Sequence, residues 1–73
     1  MNDAEDVQLI AETLAEAGIN LNLAYGSRLD EDVSWSSNVM TKSGLSFEHP
    51  ISAEDMLSAA EAAVAECRVR GWL

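Results

Sequence analysis

The sequence predicts a two-layer α+β domain, with two helices packed on one face of a three-stranded antiparallel sheet in the order α-β-β-β-α. Three observations carry that expectation. Apolar residues recur at helical spacing over 2–17, alternate with a period of two from Ile19, and return to helical spacing after Pro50. Helix start and stop signals bracket both helical stretches. Turn-forming residues separate the alternating runs. At 73 residues the chain reads as a single small domain over 1–73 with a modest core.

Residues 2–17 form the first predicted helix. Asn2 and Glu5 have capping-box spacing, and Asp3, Glu5 and Asp6 sit where the helix dipole favours anions. Val7, Ile10, Ala11, Leu14 and Ala17 make its apolar stripe. Glu5, Glu12 and Glu16 lie on the opposite side within about 40° of one another, and Leu9 is the apolar exception there. Gly18 suits the left-handed position that ends a helix.

Ile19, Leu21, Leu23 and Tyr25 alternate with Asn20, Asn22 and Ala24, as in a half-buried antiparallel strand. Gly26 to Asp32 is a polar connection. Val33, Trp35, Ser37 and Val39 predict a second strand ending near Met40. Thr41-Lys42-Ser43-Gly44 is a turn, and Leu45, Phe47 and His49 alternate in a short third strand that Pro50 stops. The second helix is expected to open at a Ser52 cap, with Ile51 and Met56 as a hydrophobic staple. Ala53, Met56, Leu57, Ala60, Val64 and Cys67 would share its packed face. Arg68 and Arg70 complement the dipole at its end, Gly71 is a C-terminal cap, and Trp72 folds back over the last turn.

Thirteen acidic residues against four basic ones give a net charge of −9 and a pI near 4.1. Such a surface is repelled by phosphate, which argues against direct binding of nucleic acid or anionic membranes. A lone Cys cannot form an internal disulfide, and no apolar run has the length of a membrane span. The opening Met-Asn-Asp-Ala-Glu-Asp lacks the basic and apolar regions of a secretory signal. These features lead us to expect a cytoplasmic protein.

The residues offer little catalytic chemistry. Cys67, His49 and Glu66 are the only nucleophile, base and orienting set available, and a buried structural Cys with a strand-end His accounts for them without a reaction. Asp30-Glu31-Asp32-Val33-Ser34 resembles the start of a calcium loop, but Trp35 and Thr41 stand where that loop needs Gly and Glu. One Cys and one His cannot hold a structural zinc within one chain. The expectation is a protein without enzyme activity, cofactor or metal.

Charge is the remaining signal. Residues 1–32 carry −7 of the total and residues 33–73 carry −2. On a helix, Glu5 lies about 10 Å from Glu12, and Glu12 about 6 Å from Glu16, close to phosphate spacing along a nucleic-acid strand. Those carboxylates and Asp30, Glu31 and Asp32 together form a candidate partner-binding surface for a basic groove. In size, charge and these acidic clusters, with the Ala-rich segment from Ala53 to Glu61, the chain resembles the small acidic phage-encoded anti-CRISPR proteins. Several of those act as DNA mimics. The resemblance implies a non-enzymatic inhibitor in the host cytoplasm, binding a CRISPR effector of the type I surveillance kind and blocking its access to target DNA. Arg28, Lys42, Arg68 and Arg70 depart from an all-acidic mimic. The alternative is a phage or bacterial structural or adaptor protein associating through an apolar patch at Trp35 or at Trp72-Leu73. Either a monomer or a homodimer is compatible with the sequence.

Overall fold

Helix α1 (Asp3–Glu16) opens a computed structural model that describes residues 3–26 and 34–73. Val7 and Leu14 point into the protein, with Ile10 and Ala11 half-buried beside them, while Ala17 is exposed and adds nothing to the stripe. Gly18 adopts φ +80° and lets the chain reverse directly into strand β1 (Ile19–Gly26). The expected Asn2 cap lies outside the described residues, as do Asp30, Glu31, Asp32 and Val33.

Strands β1 and β2 (Ser34–Thr41) pair antiparallel in one unbroken register, from Ile19 opposite Thr41 to Gly26 opposite Ser34. Gly26 is therefore strand and not connection. Strand β3 (Ile51–Ala53) pairs with the far side of β2, giving the predicted meander β1-β2-β3. Both helices contact the sheet, α1 over β1 and α2 (Met56–Val69) over all three strands. The order α-β-β-β-α and the α+β class stand as the sequence predicts.

The third strand is displaced from its predicted position. Leu45, Phe47 and His49 lie in irregular chain, and pairing begins only at Ile51. The reason is the side chain of Asn38. Its Oδ1 accepts from the Phe47 amide at 3.0 Å and from the Val39 amide at 2.7 Å, and its Nδ2 donates to the Phe47 carbonyl at 3.5 Å. A side-chain amide thus fills the ladder where a strand would have paired. Pro50 precedes the strand instead of ending it, at a position that owes no N–H to the ladder.

That shift moves the start of the second helix. Ser52 belongs to β3, and the cap is Asp55, whose Oδ1 accepts from the Ser58 amide at 2.7 Å. With Met56 as the first helical residue, the expected Ile51–Met56 staple does not form. The buried residues of α2 are Ala59, Ala60, Ala63 and Cys67, with Met56, Leu57 and Val64 half-buried. Small side chains thus make up the buried face of α2. At its end Gly71 takes φ +78°, its amide donates to the Arg68 carbonyl at 3.1 Å, and the Trp72 amide donates to the Cys67 carbonyl at 2.8 Å. This paired-bond ending is a Schellman motif. It lays Trp72 against Phe47, ring centroids 5.9 Å apart, with the Arg70 guanidinium 5.3 Å from the Trp72 ring. Leu14, Ile19, Val39, Phe47, Ala63 and Cys67 form the central core.

Candidate functional site

The exposed face of α1 is the candidate surface. Glu5, Glu12 and Glu16 are all solvent-exposed, as their placement opposite Val7 and Leu14 requires. Leu9 projects from the same face and is 61% exposed, an apolar side chain among carboxylates. Gln8 reaches Glu12 at 3.4 Å, and the Thr13 hydroxyl donates to the Leu9 carbonyl at 2.9 Å. The helix carries no Lys or Arg. Among the described residues the ion pair present is Arg70–Glu66 on α2, at 2.7 Å, so none of the three α1 carboxylates is neutralised by a described cation. The other half of the expected surface, Asp30 to Asp32, lies outside the described residues.

Glu16 is the last residue of α1. Helix C-termini favour cations, because unsatisfied carbonyls give that end partial negative charge. An acid there opposes the dipole, and Lys42, whose methylenes lie over Gly18, forms no ion pair with it. Both parts of that conflict, Glu16 and the helix-ending Gly18 two residues on, are legible in the sequence.

The other chemistry-bearing residues are not assembled. Cys67 is fully buried, and burial pushes its thiol above the ordinary value; the Arg70 charge opposes that rise in part, and Glu66 adds to it. His49 is exposed in the irregular chain after Phe47. Among the described residues no three His, Cys, Asp or Glu side chains cluster as metal ligands would, and no helix is long and apolar enough to cross a membrane. Trp35 is half-buried and packs on Tyr25 with centroids 4.9 Å apart, and Trp72 is occupied by Phe47 and Arg70. Both tryptophans are thus half-buried against neighbours, while Leu73 beside Trp72 is 42% exposed.

Comparison with protein-family models, with curated proteins and with solved structures finds no match to this chain.

Proposed function

We propose that the protein is a non-enzymatic binder of a basic, nucleic-acid-binding surface on another protein, docked through the exposed face of α1. The single observation that carries this reading is the run of Glu5, Glu12 and Glu16 on one face of a helix with no basic residue, ending in an acid that opposes the dipole. Solubility alone asks for net charge somewhere on the surface, and gives no reason to place it at a helix C-terminus. Leu9, standing among the carboxylates, supplies an apolar anchor that a purely solvating face would lack. A type I CRISPR surveillance complex is the target that the resemblance implies, with the carboxylates standing in for DNA phosphates against its Arg and Lys side chains.

The test uses purified surveillance complex and labelled target duplex in a gel-shift assay. The wild-type chain is expected to abolish the shifted band, and Glu12→Lys with Glu16→Lys to restore it while the circular dichroism spectrum is unchanged. Inhibition should weaken steeply as salt rises. A double reversal that still inhibits fully would remove the charge mechanism. A wild-type chain that leaves the shift intact would remove this target.

A further inference from the structure

The two edges of the sheet are built differently. The β3 edge is three residues long, preceded by Pro50 and interrupted where Asn38 replaces the ladder. Natural sheets blunt their edges with such devices. Among the described residues the β1 edge has none of them. It is eight residues long, INLNLAYG, with no charge, no proline and no bulge in its register. Because the Lys42 amide donates to the Gly18 carbonyl, the even-numbered residues of β1 face β2. The backbone groups of Ile19, Leu21, Leu23 and Tyr25 therefore point away from the sheet. Those of Leu21, Leu23 and Tyr25 have no hydrogen-bond partner among the described residues.

The layer above this edge is uncharged as well. Ile10 lines a cleft with Glu61, Val64 and Arg68, which fixes the flank of α1 that faces α2. At 100° per residue the opposite flank, over the free edge, carries Gln8, Ala11 and Ala15. In a chain of net charge −9, this strip of strand and helix flank carries no charged side chain among the described residues, which favours the approach of a second copy here.

We propose that β1 pairs with β1 of a second copy in a two-fold, antiparallel arrangement centred on Asn22, joining two sheets into one of six strands. The outward-pointing residues are odd-numbered, so odd must pair with odd. Centring on Asn22 engages all of them at once, with Ile19 opposite Tyr25 and Leu21 opposite Leu23 of the second copy. Tyr25, 64% exposed in the single chain, would then lie beside the second copy's Ile19. The strand is about 26 Å long and the molecule 17 Å thick. The pair would bury roughly 900 Å², close to the ~1,000 Å² that marks the lower bound of specific interfaces. That is the area of a reversible dimer. The proposal does not depend on the binding of a basic target, since the acidic face of α1 remains outward in both copies.

Cysteine cross-linking reads the register directly. Asn20, Asn22 and Ala24 are exposed on the helix-free face, and the native Cys67 is sealed in the core. In the proposed pairing Asn22 faces its own copy in a non-hydrogen-bonded pair, with Cα atoms about 4.5 Å apart, within the disulfide range. Position 20 faces position 24, and its own copy is about 13 Å away. Under mild oxidation Asn22→Cys is expected to give covalent dimer. Asn20→Cys and Ala24→Cys should each stay monomeric alone and cross-link when mixed. Sedimentation velocity of the wild-type chain should show an S-value that rises with concentration. Asn22→Cys that stays monomeric, or Asn20→Cys that cross-links alone as quickly, would overturn the arrangement. So would a wild-type chain that is monomeric at every concentration, including one that takes up a Lys-rich extended peptide at this edge instead.

Discussion

Asn38 and Ser37 are neighbours on β2 that meet burial in opposite ways. Asn38 pairs both ends of its amide, serving two backbone N–H groups and one carbonyl. Ser37 is 1% exposed and faces the helices, and its Oγ has no hydrogen-bond partner among the described residues. A buried hydroxyl without a partner carries its desolvation cost with nothing in return, whereas an amide holding two donors leaves them stranded when removed. The two substitutions should therefore have opposite signs. Asn38→Ala is expected to cost about 2 kcal/mol, and Ser37→Ala to be neutral or stabilising by up to about 1 kcal/mol. Urea unfolding midpoints measure both. A Ser37→Ala midpoint well below wild type would mean that the hydroxyl has a partner such as a bound water. Neither effect is legible in a sequence, because each depends on which groups the fold brings to the side chain.

The ends of α2 show what an element can reveal of itself. Its C-terminus was readable: Gly71 followed by Trp72 signals a left-handed cap with an apolar residue folding back, and both features are present. Its N-terminus was not, since Ser52 and Asp55 are both good caps and local chemistry cannot choose between them. The choice is made by β2, which takes Ile51–Ala53 as a strand partner and leaves Asp55 to start the helix. The same non-local cause misplaced the third strand, whose alternation at Leu45, Phe47 and His49 was genuine but idle. Asp55 now carries a pH signature. The Ser58 amide holds its carboxylate below the ordinary value of 3.8. A carboxyl lowered on folding contributes stability that is complete above its unfolded value and is lost as pH falls through the lower folded one. Asp55→Ala should lower Tm at neutral pH, and the gap from wild type should narrow only below about pH 4. Asp55→Asn should keep most of the cap and lose that pH dependence. Thermal melts from pH 7 to pH 2 test this, and a gap that closes near pH 6 would point to a different group.

Across the whole molecule the charge is as informative in where it sits as in its size. The acidic stripe was legible because helical periodicity alone puts Glu5, Glu12 and Glu16 together, while the free β1 edge was not, because no residue of β1 reports what lies beside it. A molecule of net charge −9 repels itself, and Glu16 adds to that at the negative end of a helix dipole. Glu16→Lys would remove the conflict, place a cation at the helix end, and set that cation four residues after Glu12 in the favourable order. All three effects act in the same direction. The substitution is expected to raise Tm by a few degrees at low ionic strength, with the gain shrinking in ~1 M salt, where the Debye length is about 3 Å. In the same variant the affinity for a basic target should fall. That combination would show an acid held at a cost to the fold, as functional sites commonly are. A Tm that falls on reversal would mean that Glu16 makes a stabilising contact, and the acidic face would lose the feature that sets it apart from ordinary solvation.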